Sequence, residues 1–184
     1  MKLSKILIFS LPVTMLCMNG TGQAQSVSVQ TGIYNFTEDL ANEFYTLAPG
    51  IFAGVDVVSW ERLKLNTGAG FAFTPVKYNN HKHLLYFLPV FISLKYDLVN
   101  EGSKIKPFVA AGISLAGKAD KNRYFDKTHY AFTYGYHIQG GISRRISNIL
   151  SLQFDMRYNL LITPVMEEIN ISGVTTTIGF LLNL

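Results

Sequence analysis

Three groups of residues in this chain have types and spacings that could do chemistry. The first is His81-Lys-His83, two imidazoles with the i, i+2 spacing of metal ligands on one strand face. A zinc site needs three or four ligands, and His129 is the one obvious addition. The pair therefore reads as solvated loop residues, and no metal is expected. The second group is hydroxyls and acids that could join a histidine in a Ser/His/acid arrangement. Such triads are recognised by geometry and not by sequence order, and no local motif points to one. No catalytic residue and no cofactor are expected. The third group is polar and charged: Asp56, Lys64, Lys95, Asp97, His137, Arg145, Gln153, Asp155 and Arg157. Charges of both signs could pair in a sealed interior or line a narrow polar path. Apart from these stand Lys121, Arg123, Lys127 and His129, a basic cluster that could engage phosphates or an acidic partner.

The segments that carry the third group have one pattern. In Leu150–Ile162 the even positions Leu150, Leu152, Phe154, Met156, Tyr158, Leu160 and Ile162 are apolar. The odd positions from Ser151 to Asn159 are polar. Period two is the mark of a β-strand, whose side chains alternate between faces. The pattern recurs in 84–98, where Ile92, Leu94 and Tyr96 oppose Ser93, Lys95 and Asp97. It recurs again in 133–145 and 173–184, and more weakly in 27–36, 50–58, 63–75 and 106–118. This predicts eight strands, several of them long. About 9–11 residues cross a bilayer as a tilted strand, whereas globular strands average about 5–6. Pro89 falls within the fourth strand, cannot donate a ladder hydrogen bond, and suggests a bulge.

The connections alternate between short turns (59–62, 99–105, 146–149) and longer, more polar loops (37–49, 76–83, 119–132, 163–172). That is the layout of outer-membrane barrels, with short periplasmic turns and longer outside loops. Thr37–Phe44 could add a short helical turn with Thr37 as its N-cap.

Composition agrees. Charged residues make up 15% of the 184 residues, against about 25% in an average soluble domain. Tyr (10), Phe (13) and Gly (15) are abundant, which is β-rich composition. The start of the chain has Lys2 and Lys5, an apolar run from Ile6 to Met18, and Gly22-Gln-Ala24 as small residues for cleavage. This reads as a secretory signal peptide at 1–24, with one barrel domain at 25–184. The single cysteine, Cys17, lies in that leader, so no disulfide or thiolate site is expected afterwards. The 16 basic and 12 acidic residues are scattered, and Lys2 and Lys5 leave with the leader. Nucleic-acid binding is not supported.

Volume and energetics decide which face points inward. The polar face is rich in Gly, Ala and Ser, including Gly32, Gly54, Gly68, Gly70, Gly112, Gly135, Gly141 and Gly179. An eight-stranded barrel is just wide enough for its interior side chains to fill it. Small residues beside a few large paired polar groups suit that space. A soluble protein would instead show a surface of Gly, Ala and Ser with few charges, which serves solubility poorly. In hydrocarbon the apolar face needs no protein partner, and closure satisfies every strand edge. The sequence predicts an all-β, eight-stranded antiparallel up-and-down transmembrane β-barrel. Tyr34, Trp60, Tyr86, Tyr96, Tyr134 and Tyr158 are candidates for the interfacial aromatic belt, with Tyr86, Tyr96, Tyr134 and Tyr158 the strongest.

Lys106-Pro-Phe-Val-Ala-Ala-Gly-Ile-Ser-Leu115 resembles a Lys-Pro-Phe strand of the small outer-membrane β-barrel domain, the porin-like group of opacity-type and OmpA-like barrels. Leu88–Tyr96 is similar to the strand before it, and Gly173–Leu184 to the terminal strand. The chain ends in Leu184, where many such barrels end in an aromatic residue. The resemblance implies a place in the outer membrane of a Gram-negative bacterium. It implies contact with outer-membrane lipids and lipopolysaccharide, and a structural or surface-interaction role with the outside loops as contact surface. A narrow channel for small solutes is the alternative. Some barrels of this size modify lipid A; the deacylase type uses His-x-Ser with a carboxylate, and His137-Ile-Gln139 and His83-Leu-Leu85 lack the serine. A soluble periplasmic barrel holding an apolar ligand is the remaining alternative.

Overall fold

The computed structural model describes residues 26–38, 41, 45, 47–78, 81–100, 102–122, 127–162 and 170–184. The side chains at 76–78, 81–83, 120–122, 127 and 129 are outside that description, and so is the leader. Eight strands follow in chain order: β1 (Ser26–Phe36), β2 (Ala48–Trp60), β3 (Leu63–Tyr78), β4 (His81–Asp97), β5 (Ile105–Asn122), β6 (Lys127–Arg145), β7 (Leu150–Leu161) and β8 (Gly173–Asn183). Each pairs antiparallel with its chain neighbour, and β1 pairs with β8 from Ser26↔Asn183 to Phe36↔Gly173, which closes the barrel.

Alternation sets the wall inside out. Ile92 is 48% exposed and Phe154 42%, whereas Asp155 is 2% and Arg157 6% exposed. Val29, Ile51, Val109, Ile113, Ile138, Met156 and Phe180 continue the apolar exterior. Glycines let the interior fill. A Cβ on Gly70 would lie 2.3 Å from the Phe52 ring, and one on Gly68 would lie 2.4 Å from the Phe91 ring. These two inward rings occupy the space that side chains at 68 and 70 would otherwise need.

Four features differ from the sequence expectation. Residues 76–78, 81–83, 119–122 and 127–132 continue strands, where the sequence pattern places loops. Beyond the apolar wall no side-chain alternation is required, because both faces are wet, and backbone pairing alone extends the ladder. His81 and His83 accordingly stand in β4, opposite Tyr78 and Val76. Pro89 makes no bulge. The β3–β4 ladder skips Gly70 and Phe71 opposite Leu88 and Pro89, then resumes in the same register, as a residue without an N–H allows. The register shift lies instead in β2, between Asp56 and Val58, where Val57 is the extra residue. It reverses the phase, so Asp56 points in while Trp60, also even-numbered, is exposed. Finally, Tyr34 is fully buried and belongs to the interior, not to the belt. Trp60, Tyr96, Tyr134 and Tyr158 are exposed on the wall, and Tyr86 is partly so.

Candidate functional site

Among the described residues, buried polar side chains gather in the interior, which is built in storeys. At the end with the short turns, β2, β3 and β4 contribute two ion pairs. Lys95 Nζ lies 3.3 Å from Asp56 Oδ2, and Lys64 Nζ lies 2.9 Å from Asp97 Oδ2. Ser26 Oγ donates to Asp56 Oδ2 at 2.8 Å, and Asn66 Nδ2 donates to Asp56 Oδ1 at 2.7 Å. The Lys95 ammonium also sits 4.6 Å from the centre of the Phe108 ring. Asp56 thus carries three donors, as a buried carboxylate must to offset its lost hydration.

The next storey belongs to β1, β6 and β7. Asp155 Oδ2 accepts from Gln30 Nε2 at 2.6 Å and from Gln153 Nε2 at 2.9 Å. Arg157 donates twice to Gln139 Oε1, at 3.4 Å from Nε and 3.2 Å from Nη2. Its guanidinium lies 3.4 Å from the centre of the Phe91 ring, a cation–π contact inside the barrel.

His137 stands above it, and its partners are hydroxyls. Nε2 is 2.8 Å from Ser93 Oγ, and Nδ1 is 2.8 Å from Ser114 Oγ. Ser114 donates to Asn159 Oδ1 at 3.2 Å, and Asn159 Nδ2 donates to Thr175 Oγ1 at 3.3 Å. Ser114 has one proton, and it is committed to Asn159, so its oxygen accepts from His137 Nδ1–H. In the neutral ring Nε2 is then left to accept from Ser93. A serine held on an oriented imidazole is the geometry of an activated nucleophile. Here, however, a hydroxyl and not a carboxylate faces Nδ1, and Ser93 is 1% exposed. The arrangement joins β4, β5, β6, β7 and β8 across the lumen.

The loop end is apolar. Tyr34, Phe36, Tyr45, Leu85, Phe87, Leu161 and Ile171 form one buried cluster with Ala41, Ala48, Phe52, Ala72 and Ala116. The Tyr34 and Phe87 rings are 4.5 Å apart, and the Phe36 and Tyr45 rings 5.1 Å. Tyr34 OH donates to the Ile171 carbonyl at 2.7 Å. The Tyr45 N–H donates to the Ala41 carbonyl at 2.7 Å, a helical-type bond between two residues buried in this cluster. Thr37 N–H donates to the Ser172 carbonyl and so ties the first loop to the last one.

Of the interior candidates, the structure places Asp56, Lys64, Lys95, Asp97, His137, Gln153, Asp155 and Arg157 on inward faces, with Lys64 partly exposed at the mouth. It does not bring in Arg145, which is exposed at the end of β6. Its position is inward by alternation, but it lies at the last rung, where the lumen has already opened. Sequence reasoning missed Gln30, Ser93, Ser114, Asn159 and the aromatic cap. The basic loop cluster is only partly in view. Lys121 and Lys127 belong to β5 and β6, opposite Thr128 and Asn122, and His129 pairs with Asp120. Arg123 and the side chains of the other three lie outside the described residues. No group of three His, Cys, Asp or Glu converges as a metal site among the described residues.

Comparison with solved structures places this geometry. Neisserial surface protein A matches with a TM-score of 0.65 over 90% of this chain and 100% of its own, at 16% identity. The fold is that of the eight-stranded outer-membrane β-barrels. Within that fold, OprG from Pseudomonas aeruginosa matches with a TM-score of 0.66 at 12% identity, over 89% of this chain and 97% of its own. The N-terminal β-barrel domain of Pseudomonas aeruginosa OprF gives 0.55 at 14% identity, over 88% and 100%. The sequence itself matches no family model and no curated protein.

Proposed function

We propose that the chain is an outer-membrane barrel of a Gram-negative bacterium with a structural or surface-interaction role and a plugged lumen. The observation that carries this reading is the filled interior behind an apolar exterior. The ion pairs, the Asp155–amide group and the His137 chain occupy the polar storeys, and the aromatic cap from Tyr34 to Phe87 covers the loop end. The exposed apolar wall calls for a hydrocarbon solvent. The outside loops, with Lys121, Arg123, Lys127 and His129, are the contact surface for lipopolysaccharide phosphates or an acidic partner.

Against catalysis stand the absence of an acid on His137 Nδ1 and the burial of Ser93. The test is electrical. The protein reconstituted in a planar bilayer is expected to stay silent, while a gel shows the unboiled, folded band. Stepwise conductance would make the barrel a narrow channel and overturn the plug. Replacing Lys121, Arg123, Lys127 and His129 together by Ser is expected to preserve the folded band and reduce binding of lipopolysaccharide. Undiminished binding removes the loop from the contact surface.

A further inference from the structure

Among the described side chains, the outward face of the wall has one that is charged, and it stands at the short-turn edge. Where side chains are described along β1 to β8, the outward positions are Val, Ile, Leu, Phe, Tyr, Ala, Thr, Pro, Gly, Met, Asn and Trp, until β6 reaches Arg144; Lys77, Lys82 and Lys121 fall on outward positions at the opposite, loop end, and their side chains lie outside the description. Arg144 follows Ile138, Gly140 and Ile142 on the same face and is exposed. Its ladder partners are Ile105 on β5 and Leu152 on β7, both also outward. It therefore stands at the bottom rung of the apolar band, on the short-turn side.

Two more cations flank it. Arg145 is exposed at the same strand end, and its N–H donates to the Lys104 carbonyl at 2.8 Å, which sets the Lys104 backbone beside the end of β6; the Lys104 side chain is exposed. The adjoining turn presents Ile146 and Ile149, at 59% and 65% exposure. Exposed isoleucines next to exposed cations make an amphipathic patch, of the sort that rests in the headgroup layer with its apolar part below the phosphates.

Resting on the membrane reading above, we infer that Arg144 and Lys104 bind the phosphate of an anionic phospholipid in the periplasmic leaflet. The guanidinium is a planar fork suited to two phosphate oxygens, and the ammonium supplies a second point charge. The acyl chains lie along Ile105, Val109, Ile142 and Leu152. Position selects the source: the short turns face the periplasm, and lipid A phosphates lie in the opposite leaflet.

The test uses the protein in vesicles of equimolar phosphatidylcholine and phosphatidylglycerol, followed by native mass spectrometry of the lipid that stays bound on extraction. The wild type is expected to retain phosphatidylglycerol over phosphatidylcholine. Arg144→Gln and Lys104→Gln are each expected to reduce that preference about fivefold, the usual factor for one basic group at an anionic surface. Arg62→Gln, on the same rim but held to Asn100 across the β2–β3 and β4–β5 turns, is expected to leave it unchanged. Equal retention of the two lipids overturns the inference. An equal loss in Arg62→Gln overturns it too, by showing diffuse attraction. Displacement of phosphatidylglycerol by equimolar lipid A overturns the phospholipid assignment. A wild type that fails to float with the vesicles sinks the membrane reading itself, a different failure from folded protein that floats without preference.

Discussion

Asp56 has the most to lose at the scale of single residues. Its carboxylate holds Lys95, Ser26 and Asn66, and both members of the ion pair are nearly buried. Asp56→Ala leaves an ammonium without its counter-charge and is expected to cost about 3–5 kcal/mol, the usual penalty for breaking a buried pair from one side. Removing both charges, as in Asp56→Leu with Lys95→Met, is expected to recover most of that loss, because the desolvation cost of two ions goes with them. Urea titrations of the folded gel band check both variants. A single variant as stable as the parent would mean that water reaches the pair. The charges of this storey were legible in the sequence, because Lys95 and Asp97 interrupt one side of an apolar strand. The cap was not. From Leu84 to Ile92 both faces of β4 are apolar, so nothing in the pattern separates inward Leu85, Phe87 and Phe91 from outward Tyr86 and Leu88. Ser93 and Ser114 were hidden for another reason: a small hydroxyl on the inner face looks like filler until His137 is seen between the two.

Element by element, the strands were read from period two, and their ends were not. The pattern stops where lipid stops, yet backbone pairing carries β3, β4, β5 and β6 further. The bulge at Val57 escaped for a similar reason, since Val57 and Val58 are alike and either could face lipid. It re-aims Trp60 outward just before the β2–β3 turn, where Glu61 adopts φ 55°. That left-handed conformation costs a residue with a Cβ about 1–2 kcal/mol and a glycine little. Glu61→Gly is expected to raise stability by about 1 kcal/mol, less the extra freedom glycine gains when unfolded. A shift of the urea midpoint upward with unchanged slope is the check, and a downward shift would show that the Glu61 side chain contributes more than its backbone costs.

For the whole molecule, the deciding property is the solvent around the wall. Ile138 is 65% exposed near the middle of β6, with apolar neighbours on both sides. In a bilayer, Ile138→Arg is expected to destabilise by about 2–4 kcal/mol, as a cation at the midplane does. In water the same change would improve an exposed surface. Folding yields into vesicles, compared with those of the parent, distinguish the two. Closure carries a further consequence. Ser26 meets Asn183, and β1 is shared between β2 and β8 from Ser26 to Tyr34, with Asn35 and Phe36 paired to β8 alone. The first strand to be synthesised therefore waits for the last. A chain cut before Gly173 leaves β1 and β7 each with a bare row of amides and carbonyls that hydrocarbon cannot satisfy. The seam is thus the most non-local pairing of the barrel, and closure is complete only when β8 meets β1.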